Sequence, residues 1–126
     1  MLMGMRSIKL KDDGKYQWTN HVMQKMAYYG LSEGRIRRVL YSPKRIEEGV
    51  APGTTAAMQP GGTRKRPYEV WVMYQNINSK FKDQKSKLMP KRKRIISAWK
   101  YPGISKPRGE VPMPPDIRAY LANLKS

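Results

Sequence analysis

The sequence predicts an α+β fold, in which two N-terminal helices pack on a four-stranded, mainly antiparallel twisted sheet and a C-terminal helix follows. Apolar residues recur with helical spacing within residues 19–42 and again at the end of the chain, whereas β-branched and aromatic residues fill 68–74 and 92–101. A chain of 126 residues is long enough to bury one hydrophobic core. We therefore expect an α+β domain over residues 1–101, followed over residues 102–126 by a proline-rich arm and a docked helix.

The two N-terminal helices are predicted by the signals at their ends as well as by their apolar stripes. Thr19 or Asn20 is a suitable N-cap for the first helix, and Gly30 is a typical C-terminal stop. Ser32 is a suitable N-cap for the second helix, which Pro43 ends. The short connection between them predicts a helical hairpin.

The strands are predicted from β-branched and aromatic content and from turn residues. An Asp-Gly pair between two short alternating segments, 7–10 and 16–18, predicts an N-terminal hairpin. The sheet itself is predicted from four later segments, with 68–75 paired antiparallel to 92–101 in its middle. These segments are 44–50, 55–59, 68–74 and 92–101.

The segment from Lys91 to Tyr101 joins four consecutive cations to a short apolar strand. Strict alternation divides its residues between two fairly apolar faces, which predicts a central strand that is covered on both sides. One face is predicted to hold Ile95, Ser97 and Trp99, and the other Ile96, Ala98 and Lys100. The charges lie at the two ends, where a strand meets solvent or a ligand.

The charge of the chain points to a polyanionic partner. The net charge is +17, of which +5 falls in residues 1–60 and +12 in residues 61–126. Lysine and arginine gain affinity for nucleic acids by displacing counterions from phosphates, so RNA or DNA is the favoured partner class. An anionic membrane surface and an acidic protein remain alternatives.

Other classes of function are disfavoured by composition. The chain has no cysteine and one histidine, so thiolate and multi-histidine metal sites are absent, and we expect neither metal nor cofactor. No apolar run approaches the length of a membrane span, which leads us to expect a cytoplasmic protein without membrane contact.

The candidate site residues lie at the start of the first helix and along the basic strand. His21 can move a proton near neutral pH, with Lys25 one turn away to hold a phosphate; the alternative is a half-buried histidine with a structural hydrogen bond. Alternation places Arg92 and Arg94 on one face, where both can clamp the same phosphate; the alternative is a charged edge strand that resists aggregation. Lys100 lies at the far end of the strand.

Further nucleic-acid contacts are predicted around that strand. Lys91 and Lys93 add charge, whereas Tyr74, Trp99 and Tyr101 offer rings on which unpaired bases can stack. The alternative for the aromatic residues is burial in the core. Glu69 is a second candidate base, with an exposed salt bridge at the strand end as its alternative.

Several short motifs resemble a known family. HVMQKM at residues 21–26, GLS at 30–32 and VLYSP at 39–43 resemble the H-A-x-x-R-M, G-I-S and V-L-x-x-P motifs of a bacterial domain family of unknown function. That family is grouped with the RelE-like and BrnT-like ribonuclease toxins. RIISAWK at 94–100 is similar to the R-I-I-S-A-R-K strand of the BrnT toxins. The resemblance covers about residues 19–101.

The resemblance implies a RelE-like fold, metal-independent cleavage of RNA, often at the ribosome, and an antitoxin that covers the basic cleft. His21 and Lys25 stand at the positions of the family's histidine and arginine, and Arg94, Ser97 and Lys100 match the strand motif. The chain departs from the pattern at Lys25, where arginine is usual, and at Trp99, which replaces the second arginine of the strand.

Together, these observations lead to one principal hypothesis and two alternatives. The principal one is a toxin-like, metal-independent endoribonuclease of a toxin–antitoxin pair, in which His21 takes the proton of the 2′-hydroxyl while Arg92, Arg94 and Lys100 hold the phosphate. The first alternative is a non-catalytic RNA-binding module. The second is an adaptor that binds an acidic protein through residues 80–94.

Overall fold

The computed structural model describes residues 10–49, 51–77, 92–107 and 109–123. Within these ranges the fold is α+β, with three helices and one five-stranded mixed sheet in the order β1-β5-β4-β3-β2. The elements are β1 (Tyr16–Trp18), α1 (Asn20–Tyr29), α2 (Glu33–Tyr41), β2 (Arg45–Glu48), β3 (Thr54–Gly62), β4 (Pro67–Ile77), β5 (Arg92–Pro102) and α3 (Pro115–Ala122). The α+β class and the antiparallel pairing of β4 with β5 are confirmed. The predicted sheet had four strands, one fewer than the five that the structure describes.

The ends of α1 and α2 are confirmed because they depend on neighbouring residues alone. The hydroxyl of Thr19 accepts from the backbone N–H of Val22 at 3.1 Å, and Gly30 ends α1 in the left-handed conformation, with φ 68°. The hydroxyl of Ser32 accepts from the backbone N–H of Arg35 at 3.1 Å at the start of α2.

The predicted N-terminal hairpin of 7–10 with 16–18 stays a prediction, whereas the place of 16–18 in the main sheet was not predicted. Strand β1 pairs in parallel with the start of β5, with Trp18 opposite Ile95, and residues 7–9 lie outside the described part of the chain. The Asp-Gly segment makes a local turn, because the Asp13 carboxylate accepts from the backbone N–H groups of Lys15 and Tyr16, each at 2.8 Å. The parallel pairing also buries Trp18 against both N-terminal helices.

A β-bulge in β5 overturns the predicted alternation of its side chains. Tyr74 pairs with Ile95 and Met73 with Ser97, which leaves Ile96 without an opposite residue. Beyond the bulge, each side chain of β5 lies on the face of the sheet opposite to the one that strict alternation predicts. Ile95 therefore shares a face with Ala98 rather than with Ser97.

Two apolar cores lie on the two sides of the sheet. The first core fills the space between the sheet and α1 and α2, and the second lies between the opposite face and α3. In the second core the rings of Trp71 and Trp99 are stacked with centroids 6.4 Å apart, and α3 contributes Ile117 and Leu121, which are fully buried. Because Val111 also belongs to this core, the C-terminal residues complete the layer over that face.

The arm between β5 and α3 is fixed by a buried carboxylate. Glu69 is 3% exposed and accepts from the indole N–H of Trp71 at 3.0 Å and from the backbone N–H and hydroxyl of Ser105 at 3.1 and 2.7 Å. Both sequence-based interpretations of Glu69, a cleft base and an exposed salt bridge, are therefore wrong. All three of these hydrogen bonds to the Glu69 carboxylate come from the protein's own donors, in Trp71 and Ser105.

Two further side chains attach the arm to the sheet. Arg45 donates to the hydroxyl of Ser105 at 2.8 Å and to the carbonyl of Gly109 at 3.1 Å. The indole N–H of Trp99 donates to the carbonyl of Pro112 at 2.7 Å. These contacts hold the proline-rich segment against the second face of the sheet.

Candidate nucleic-acid interface

The basic strand end, by which we mean Lys15, Arg92, Lys93 and Arg94, lies where β1 meets the start of β5. The backbone N–H of Lys93 donates to the carbonyl of Lys15 at 2.8 Å and brings these two cations together. The side-chain alternation is regular before the bulge, so Arg92 and Arg94 share the second face of the sheet and Lys93 lies on the first. The parallel pairing of β1 therefore adds Lys15 to the three cations of β5.

Arg94 is held between two glutamines of the neighbouring strands. Its Nε–H donates to Oε1 of Gln17 at 2.7 Å, and its Nη1–H donates to Oε1 of Gln75 at 3.4 Å. Both glutamines are direct register partners of Arg94, one in β1 and one in β4. The guanidinium is thus oriented by two side chains that the sequence did not indicate, Gln17 through the parallel register of β1 and Gln75 through the antiparallel register of β4.

The acidic residues nearest to the basic strand end are occupied by local contacts. The Asp12 carboxylate accepts from the backbone N–H of Trp18 at 2.8 Å, and Asp13 pairs with Arg37 at 3.0 Å. Backbone hydrogen bonding, first from Tyr16, and the Arg37 guanidinium lower the pKa of Asp13 to about 2. Arg92 donates to the carbonyl of Asp13 at 3.1 Å rather than to its carboxylate.

The aromatic residues near this end are mostly covered. Tyr74 is 9% exposed, and its ring centroid lies 5.3 Å from Nζ of Lys93. Burial raises the pKa of the Tyr74 hydroxyl. Tyr16 is partly buried, and the Arg37 guanidinium lies 4.8 Å from its ring centroid. Tyr74 therefore has little exposed ring surface on which a base could stack.

His21 is enclosed between β5 and α3. Its Nε2 lies 2.9 Å from the hydroxyl of Ser97, and its ring stacks on Tyr120 with centroids 3.7 Å apart and planes 2° apart. Burial and then the charge of Lys25 lower the pKa of His21 to about 4, against an opposing effect of Asp116. The imidazole is therefore neutral at pH 7.

Lys25 is one turn further along α1, and its partner is also on α3. Its Nζ forms an ion pair with the carboxylate of Asp116, in which the side chains are 20% and 57% exposed, respectively. The Lys25 charge, first through this hydrogen bond, lowers the pKa of Asp116. Nζ also lies 5.7 Å from the ring centroid of Tyr28.

Lys100 lies on the face of the sheet opposite to Arg94. It pairs with Val70, a residue of the first core, and its Nζ is 4.9 Å from the ring centroid of Tyr68. The bulge at Ile96 produces this separation, because it exchanges the faces between Arg94 and Lys100. The three residues proposed for catalysis, His21, Arg94 and Lys100, therefore do not face one phosphate.

The other residues predicted to contact RNA, namely Trp99, Tyr101 and Lys91, do not belong to the basic strand end. Trp99 is fully buried, so its ring is not accessible to a base. Tyr101 is partly buried and lines a groove of about 410 Å³ together with Met113 and Arg118. Lys91 and the connection at 78–91 lie outside the described residues.

Comparisons with family models, with curated proteins and with solved structures gave no match for the chain. The resemblance to RelE-like and BrnT-like toxins thus stays a prediction. Among the residues that the structure describes, no helix has the length and apolar character needed to span a membrane.

Proposed function

We propose that the protein binds single-stranded RNA through the basic strand end. The observation that carries this proposal is the pair Arg92 and Arg94 on one face of β5, with Arg94 fixed between Gln17 and Gln75. A guanidinium that is already oriented loses little conformational entropy when a phosphate binds.

The hydrogen-bonding capacity of this group supports phosphate binding. A guanidinium has five N–H donors, and Arg94 directs two of them to the glutamines, so three remain for phosphate oxygens. Each glutamine accepts through Oε1, which turns its amide nitrogen away from Arg94. The amide nitrogens can donate to phosphate or to base edges.

The choice of RNA as the ligand rests on two observations, of which the first points to a polyanion and the second to RNA. The net charge of +17 favours any polyanion. The similarity of RIISAWK at 94–100 to the strand of ribonuclease toxins favours RNA, and an acidic antitoxin is the protein partner that such a surface would attract.

Endoribonuclease activity is the second candidate function. It is favoured by the neutral imidazole of His21 beside Lys25, a base and a cation at the start of one helix. It ranks second because Lys100 and Arg94 lie on opposite faces, and because a base with a pKa of about 4 is a weak proton acceptor at pH 7.

A binding assay with matched variants tests the first candidate. Arg92→Ala/Arg94→Ala is expected to weaken binding of a fluorescent single-stranded RNA tenfold or more, as expected for losing charge-assisted hydrogen bonds of about 1.5–3 kcal/mol. Arg64→Ala/Lys65→Ala removes the same charge from the exposed turn between β3 and β4. Equal losses in the two pairs would contradict a specific site, and equal affinity for DNA of the same sequence would contradict RNA selectivity.

A cleavage assay tests the second candidate on the same preparations. Time-dependent cleavage that disappears in His21→Ala supports a nuclease. Cleavage that persists at the same rate in His21→Ala rejects His21 as the base, and equal cleavage in Arg94→Ala as well points to contamination and rejects the nuclease.

A further inference from the structure

We infer that His21 and Lys25 form a nucleotide-binding site, in which a base stacks on His21 and a phosphate pairs with Lys25, and that Tyr120 and Asp116 of α3 occupy this site in the present structure. The inference rests on the proposed function, because it takes RNA as the ligand. The site adds a second place at which the RNA contacts the protein, and its occupation by α3 provides a way to regulate RNA binding.

The two helices present matching pairs of side chains. His21 and Lys25 are four residues apart on α1, and Asp116 and Tyr120 are four residues apart on α3, so each pair lies on one helix face. The Tyr120 ring lies parallel to the imidazole at 3.7 Å, and the Asp116 carboxylate pairs with the lysine. An aromatic ring and an anion at this spacing are the two parts of a nucleotide that proteins bind by stacking and by ion pairing.

The apolar side of α3 anchors the helix in the second core, against which the ring of Tyr120 also packs while remaining partly exposed. Ile117 and Leu121 are fully buried in the second core, whereas the side chain of Asp116 is 57% exposed. The Asp116 side of this ion pair faces solvent, whereas the Lys25 side chain is 20% exposed and needs an anionic partner, a role that a phosphate can fill in place of the carboxylate. The exchange requires the two side chains to rotate away and leaves the buried residues of α3 in place.

The position of the site along β5 connects it with the basic strand end. Ser97, which contacts His21, follows Arg94 by three residues, a distance of about 10 Å along a strand. Single-stranded nucleic acids commonly occupy about 4–16 nucleotides on one binding domain, which is long enough to bridge this distance. One RNA strand can therefore contact both places once Tyr120 and Asp116 have moved.

The test uses the full chain with conservative changes on α3. Asp116→Asn/Tyr120→Leu removes the charge and the ring and keeps a polar residue at the helix start and an apolar residue at position 120. We expect it to bind a short RNA of about 4 nucleotides at least threefold more tightly than the wild type. Glu110→Gln is the matched control, because Glu110 is an exposed carboxylate on the arm before the same helix, so the change removes one negative charge as Asp116→Asn does, and it is expected to show no comparable gain.

A second measurement follows the only histidine of the chain by NMR. Short RNA is expected to shift the ring signals of His21 in Asp116→Asn/Tyr120→Leu, and adding Lys25→Ala to that variant is expected to remove the gain in affinity. Single Asp116→Asn, with the stacked ring in place, is expected to show a smaller gain of the same sign and serves if the double variant does not fold.

The outcomes distinguish this inference from the proposed function. If no variant binds RNA, the proposed function fails. If the wild type binds RNA and loses it in Arg92→Ala/Arg94→Ala, but Asp116→Asn/Tyr120→Leu shows no gain and no shift of the His21 signals, the site on α1 is rejected and α3 is a purely structural helix.

Discussion

The pKa of His21 predicts how the stability of the fold depends on pH. The folded pKa of about 4 lies below the ordinary value of 6.5, so below pH 6.5 the unfolded chain binds the proton more readily than the folded one. The contribution of neutral His21 to the free energy of unfolding is therefore fully present above about pH 6.5 and is lost as the pH falls towards about 4. Below that value both states carry the proton, and the loss is complete.

The magnitude follows from the same two values. At 1.36 kcal/mol per pKa unit, the difference corresponds to at most about 3.4 kcal/mol. The ring is only partly buried, and solvent screening reduces the expected loss to about 1–2 kcal/mol. This is a large part of the free energy of unfolding of a small domain, typically about 5–15 kcal/mol.

The assay compares the wild type with His21→Phe, which keeps an aromatic ring against Tyr120 and does not titrate. Urea unfolding at pH of about 7.5 and about 4.5 gives the two free energies, and the wild type is expected to lose about 1–2 kcal/mol more than the variant. Carboxylates such as Asp13 titrate in both proteins and cancel in the comparison. The same pH dependence in both proteins, or an NMR pKa of His21 above about 6, would refute the enclosed position of the ring.

Two further predictions concern the core and a helix end. Glu69→Ala is expected to lower the free energy of unfolding by about 2–4 kcal/mol, because the indole of Trp71 and the backbone N–H of Ser105 lose a buried acceptor; a loss below about 1 kcal/mol in urea unfolding would contradict this. Gly30→Ala is expected to cost about 1 kcal/mol, because Gly30 has a φ of 68° and its Cβ position is open, so the cost is conformational. Gly30→Asn should cost less in the same urea unfolding experiment, and equal costs would argue against the left-handed C-cap.

The parts of the fold that depend on neighbouring residues were predictable from the sequence. The caps Thr19 and Ser32 and the stop at Gly30 act within one helical turn, so their residue types alone indicate where α1 and α2 begin and end. The strand at 68–74 was also predicted, since its residues suit a buried strand in any register.

The parts that depend on distant partners were not predictable in this way. The parallel pairing of Trp18 with Ile95 joins residues 77 positions apart, and the bulge at Ile96 is set by the register of β5 against β4, in which Tyr74 is the partner of Ile95. Alternation therefore misplaced Ser97 relative to Ile95. The burial of Glu69 was missed for the same reason, because its donor Ser105 lies beyond β5.

The sequence indicated some residues of the candidate site, but it did not indicate how they are arranged in space. His21 and Lys25 do lie together on α1, but nothing in their spacing indicates that Tyr120 and Asp116 cover them. The role of Gln17 beside Arg94 was likewise hidden, because β1 was assigned to a hairpin.

The salt dependence of RNA binding tests the central proposal most directly. For single strands, log K is expected to fall with log salt concentration by about 0.7 for each phosphate contact, so Arg92→Ala/Arg94→Ala should reduce the magnitude of the slope by about 0.7 if the two arginines share one phosphate and by about 1.4 if each binds its own. A variant slope equal to that of the wild type would contradict phosphate binding at the basic strand end.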